Sequence, residues 1–155
     1  YEKAAAQDYA DAQYNLGLLY ANGQGIAQDY GKARAWYEKA AAQDDAQAQY
    51  NLGVLYYEGK GVAQDYGKAR EWWEKAAAQG NAQAQYHLGL IYADGDGVPQ
   101  DYAQAAAWFE KAATQGHEAA PIALHILDEQ SAQTPPSGIK PGFLTRGTTA
   151  QEGTP

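Results

Sequence analysis

The chain has 155 residues, with 11 Lys and Arg against 19 Asp and Glu, a formal net charge of -8, and neither Cys nor Met. A negative field of this size with no local Lys/Arg cluster repels phosphate backbones and anionic bilayers, which argues against a nucleic-acid partner. The lack of Cys removes thiol catalysis, thiolate metal sites and disulfides together. No window reaches the 18 apolar residues of a membrane span, so no membrane insertion is expected.

Tyr1 to Gln7 repeat Tyr37 to Gln43, so the chain is expected to start inside a repeat whose earlier part is missing. The governing feature follows from that match, a self-similarity at a shift of 36 residues. Residues 9 to 44 and 45 to 80 are identical at 26 of 36 positions, and 45 to 80 and 81 to 116 at 22 of 36.

Each copy reads as helix, loop, helix. Ala12, Leu16, Leu19 and Tyr20 recur at helical spacing, as do Ala48, Leu52, Leu55 and Tyr56, and Ala84, Leu88, Ile91 and Tyr92. Paired glycines end this first helix: Gly23 and Gly25, Gly59 and Gly61, Gly95 and Gly97. Asp29, Asp65 and Asp101 then stand where an N-cap is favourable. The second helix should bury Ala33, Trp36, Tyr37 and Ala40, with Ala69, Trp72, Trp73 and Ala76, and Ala105, Trp108, Phe109 and Ala112 as its counterparts. Trp36, Trp72 and Trp108 make the most regular column. Gly17, Gly53 and Gly89 lie inside first helices, where Gly costs about 1 kcal/mol against Ala, so a close helix crossing is expected to compensate.

After Gly116 the period weakens. Ala119, Ala120, Ile122, Ala123, Ile126 and Leu127 supply a helix over about 118 to 130 that suits a terminal cap, with Pro121 in its first turn. The expected organisation is a repeat array over 1 to 130, with a partial first repeat and this capping helix, and an extended or disordered tail over 131 to 155. Ile139, Phe143 and Leu144 are the tail's only substantial anchors. It is either a linker without a binding role or a segment that docks on its own or a neighbouring solenoid, a route to self-association.

Together these residues resemble the Sel1-like repeat family, a branch of the tetratricopeptide-like solenoids. The second copy carries the pattern as Ala48, Leu52-Gly53, Tyr56, Gly59-Lys60-Gly61-Val62, Asp65, Lys68-Ala69, Trp72, Ala76-Ala77 and Gly80. Departures are small: Ile26 for Val, Gln104 for Lys, and Asp44 for Gly at the first junction. The resemblance implies an all-α fold, a right-handed alpha-alpha superhelix (alpha solenoid) of 36-residue helix-loop-helix repeats whose first helices line the inner surface. It also implies a non-enzymatic adaptor or scaffold, and a bacterial periplasmic or secreted setting. Relatives often carry disulfides between repeat helices, for which this chain has no Cys.

If Leu16-Gly17 and Tyr20 face the partner helix, the opposite side of the first helix offers a groove with aromatic rungs. Its expected partner-binding residues are Tyr14, Leu18 and Asn22, then Tyr50, Val54, Tyr57 and Glu58, then Tyr86, Leu90 and Asp94. Ala21, Lys60 and Asp96 lie among the positions that vary between copies. A protein or peptide with apolar anchors and some Lys or Arg would suit this face. The alternative is a structural or designed consensus repeat module without a dedicated partner, with these tyrosines serving only to pack repeats together.

Catalytic readings lack a constellation, because most candidate residues recur on separate rungs. His87, His117 and His125 form no HExxH pattern, and His87 replaces a repeated Asn, which suits a local hydrogen bond. Gly59-Lys60-Gly61 lacks the rest of a phosphate loop. No cofactor or metal site is expected. Enzyme activity and carbohydrate binding have only stacked Trp or Tyr and paired carboxylates in their favour.

Overall fold

The computed structural model describes residues 9 to 133. The partial repeat expected at Tyr1 to Gln7, and the tail beyond residue 133, lie outside the described residues. Among the described residues seven helices follow one another: α1 (Ala10–Asn22), α2 (Tyr30–Ala42), α3 (Ala46–Glu58), α4 (Tyr66–Ala78), α5 (Ala82–Asp94), α6 (Tyr102–Thr114) and α7 (Ala119–Gln133). They fall into two compact units, one through Asn81 and one from Ala82. In the first, α1 packs on α2, α2 on α3 and α3 on α4; in the second, α5 packs on α6 and α6 on α7. The fold is the expected all-α solenoid class of tandem 36-residue helix pairs.

Local chemistry sets the helix limits. Asp29, Asp65 and Asp101 cap α2, α4 and α6 by accepting from the backbone N–H three residues on, at 3.0 Å in each case. Asp45 does the same for α3 at 2.9 Å. Gly23 and Gly59 close α1 and α3 in the left-handed region, φ 68° and 70°, each donating its N–H to the carbonyl four residues back. The helix α7 continues through Ser131, Ala132 and Gln133, three residues into the stretch expected as tail. None of those three residues breaks a helix.

The repeat glycines explain the core. A Cβ on Gly17, Gly53 or Gly89 would run into the ring of Tyr37, Trp73 or Phe109 respectively. Those rings are 2%, 1% and 0% exposed, so within each pair the missing side chain makes room for one aromatic ring. This corrects the expected column. Trp36, Trp72 and Trp108 are only half-buried, and each ring has a lysine Nζ over it, from Lys39, Lys75 and Lys111, at 4.5, 4.5 and 4.4 Å. Neighbouring helix positions point about 100° apart, so the glycine seat admits the ring at 37, 73 or 109 and leaves the Trp at the seam edge.

A polar seam joins each of the first two helix pairs. Gln13 and Gln49 are 0% and 2% exposed. Gln43 Nε2 donates to Gln13 Oε1 at 2.7 Å, and Gln79 Nε2 to Gln49 Oε1 at 2.9 Å. Gln49 in turn donates to the Ala41 carbonyl at 3.3 Å, tying α3 to the end of the preceding helix. The buried Oε1 of Gln13 and of Gln49 each thereby finds a donor 30 positions later, as buried polar groups generally do.

Candidate partner-binding face

Between α1 and α3 lies a cavity of about 280 Å³. Leu18 and Ala21 line it from α1, Val54 and Leu55 from α3, and the rings of Tyr30, Tyr37 and Tyr50 complete its aromatic part. Asn22, Asn51, Glu58 and Lys60 supply its polar groups. Five of the ten sequence-predicted residues are thus brought together: Leu18, Asn22, Tyr50, Val54 and Glu58.

The arrangement follows from the repeat. Residues 18 and 22, and 54 and 58, are one helical turn apart and occupy matching positions of successive first helices. The loop after α3 closes one end. Lys60 Nζ pairs with Glu58 Oε2 at 2.9 Å and lies 5.3 Å from the centroid of the Tyr30 ring. Gly61, at φ 69°, passes so close that a Cβ would come within 2.6 Å of the Tyr30 carbonyl carbon. Hydrogen bonding to Glu58 and its charge raise the Lys60 pKa, so this exposed cation stays protonated at neutral pH.

Tyr37 and Tyr50 are neutral under the same conditions. Burial pushes the Tyr37 hydroxyl up to about 12, against a hydrogen bond from Asn51 that favours the phenolate. Burial also raises Tyr14 and Tyr50, with the Glu58 carboxylate adding to the shift at Tyr50. The cavity therefore offers apolar and phenolic walls, the carboxamides of Asn22 and Asn51, and a rim ion pair. Tyr30, Tyr37, Asn51 and Leu55 are its sequence-missed members. Tyr37 and Leu55 were expected only as core residues, and only the helix crossing brings a second-helix ring to this cavity.

The other predicted residues are placed differently. Tyr14 lies against Tyr37, with ring centroids 5.9 Å apart. Tyr57 packs on Tyr66 and Trp73 at 5.0 and 5.4 Å, toward its own second helix. In the second unit, Tyr86 lies 5.5 Å from Phe109 and stacks on His117 at 4.3 Å. Leu90 packs against the buried cluster containing Phe109 and Leu127. Asp94 is half-buried, and its carboxylate adds to the burial that raises Tyr86 and Tyr102.

The histidines make local contacts. His87 Nδ1 donates to the Gln83 carbonyl at 2.8 Å, while His117 Nε2 lies 3.1 Å from Gln83 Oε1. Burial lowers the His117 pKa, opposed by the Glu118 charge. Among the described residues no group of three or more His, Asp or Glu could hold a metal ion, and no helix is long and apolar enough to cross a membrane.

Tandem helix pairs seated on glycine, with a side-chain-lined cavity between two successive first helices, define an alpha-solenoid helical-repeat fold. The chain belongs to the Sel1 repeat family, whose profile matches residues 10–45, 46–81 and 82–117. No curated protein matches it. Among solved structures it is similar to c5321, described as a protective antigen present in uropathogenic Escherichia coli strains and displaying an SLR fold. The identity is 43% over 83% of this chain and the TM-score 0.78, but the match spans only 28% of c5321. It is also similar to a Sel1 repeat protein from Oxalobacter formigenes, at 39% identity over 80% of this chain and 93% of that one, with a TM-score of 0.72.

Proposed function

We propose that the α1/α3 cavity receives a protein or peptide segment carrying an apolar anchor flanked by Lys or Arg. The observation that carries this reading is the convergence of Leu18, Tyr50 and Val54 with Asn22 and Glu58 on one cavity. Half-buried rings with a polar tip contribute large contact area at little entropic cost. The net charge of -8 and the Glu58 carboxylate at the rim favour a basic flank. The bacterial periplasmic or secreted setting belongs to the same proposal, and the description of c5321 as an antigen is in keeping with it.

Panning the whole chain against a displayed random-peptide library tests the reading. Selected peptides should share an apolar anchor beside Lys or Arg, and Tyr50→Ala and Val54→Asp should each weaken them at least tenfold while circular dichroism stays unchanged. Glu58→Gln should weaken binding less and reduce its salt dependence. Selected peptides without an anchor, or binding indifferent to both cavity variants, would sink it. The packing of Tyr14, Tyr57 and Tyr86 on rings of their own pairs favours the second reading, a structural module; that reading expects no peptide to be enriched.

A further inference from the structure

A second, larger notch of about 700 Å³ lies elsewhere in the first unit, between α2 and α4. Three alanines shape its walls, and its functional groups are Trp72, Lys75, Asp44, Gln49 and Gln79. The Trp72 ring is half-buried, with Lys75 Nζ 4.5 Å from its centroid. Gln79 donates one amide N–H to Gln49 Oε1 at 2.9 Å, and its carbonyl oxygen is an acceptor.

Asp44 is where the repeat departs from its own rule. It sits at φ 63°, the one non-glycine residue with positive φ among the described residues, while the corresponding junction residues Gly80 and Gly116 adopt φ 85° and 88°. A side chain in this region is disfavoured, and glycine would remove the penalty. Asp44 is among the residues that line the notch.

We infer that this notch binds a neutral sugar ring, stacked on Trp72 and hydrogen-bonded to Asp44 and Lys75. The charges narrow the ligand class. A cation meets the ammonium already over the indole, and an anion meets the Asp44 carboxylate. A neutral pyranose avoids both conflicts: its hydroxyls donate to Asp44 and Gln79 and accept from Lys75 as that ammonium moves off the ring, and its C–H face takes the ammonium's place over the indole. The volume falls within the roughly 300 to 1,000 Å³ of small-ligand sites. This inference does not rest on the peptide cavity, which uses different residues.

The experiment is titration of the whole chain with triacetylchitotriose, cellotriose and maltotriose, following the four indole N–H signals by heteronuclear NMR. At least one trisaccharide should shift the Trp72 signal while leaving Trp36 and Trp108 unmoved, although both carry the same lysine arrangement. Asp44→Gly, which installs the residue of the other two junctions, should preserve the fold and weaken binding at least tenfold. Trp72→Leu should abolish it. No shift with any of the three sugars, equal shifts at Trp36 and Trp108, or undiminished binding by Asp44→Gly would each overturn the assignment.

Discussion

Gly53→Ala sets helix propensity against tertiary packing. In an unpacked helix interior the exchange stabilises by about 1 kcal/mol. Here the new Cβ would fall onto Nε1, Cδ1 and Cε2 of Trp73, an indole that is 1% exposed and donates to the Tyr50 carbonyl at 3.0 Å. Overpacking of this kind costs about 1 to 3 kcal/mol, and a disrupted hydrogen bond adds about 1 kcal/mol. After the propensity gain, a net loss of about 1 to 3 kcal/mol is expected, read from urea unfolding followed by circular dichroism. Gly67→Ala is the matched control. Its Cβ meets only Asp65 Oδ1, at 3.3 Å, and Ala103 already occupies that position in the third copy, so a gain of about 0.5 to 1 kcal/mol is expected. A Gly53→Ala chain as stable as the wild type, or more stable, would refute the glycine-seat account.

Asp44→Gly should stabilise the chain by about 0.5 to 1 kcal/mol in the same assay, because relief of the left-handed strain outweighs the added freedom of the unfolded chain. Gln79→Ala removes a donor to the buried Gln49 Oε1 and should cost about 1 to 2 kcal/mol, measured by the shift in urea midpoint at unchanged slope. Tyr37 should contribute to alkaline unfolding. Its pKa is raised from 10.0 to about 12 in the folded state, so the folded protein holds the proton more tightly. The associated stability is present below pH 10 and is lost as pH rises toward 12. Tyr37→Phe, which places in the second helix the residue that the third copy has as Phe109, should flatten stability against pH in that window. An unchanged alkaline limb would refute the assignment.

Local rules made much of the fold legible. The 36-residue period, the aspartates before each second helix and the glycine turns after the first helices depend on neighbours within a few positions, so the linear pattern contains their physics. Repetition strengthened each signal by presenting it three times. The candidate face was legible in part for the same reason: Leu18, Asn22, Val54 and Glu58 follow from helical spacing. Tyr57 and Tyr86 illustrate the limit, since a tyrosine on an outward stripe can still lean onto a ring contributed more than 20 residues later, as Tyr86 does on Phe109.

Which aromatic ring enters the core was decided only in three dimensions. Trp36 and Tyr37 are adjacent and both apolar, and nothing local separates them. The crossing at Gly17 admits Tyr37 and leaves Trp36 beside Lys39. The buried Gln13–Gln43 and Gln49–Gln79 pairs likewise need two helices in contact before polar residues can satisfy each other away from water. The sequence alone therefore determined the repeat, its helices and their caps, because these arise from short-range hydrogen bonding and backbone preference. Tertiary structure decided the core rings, the amide seam and the cavity, because those depend on surfaces that exist only once helices distant in the chain meet.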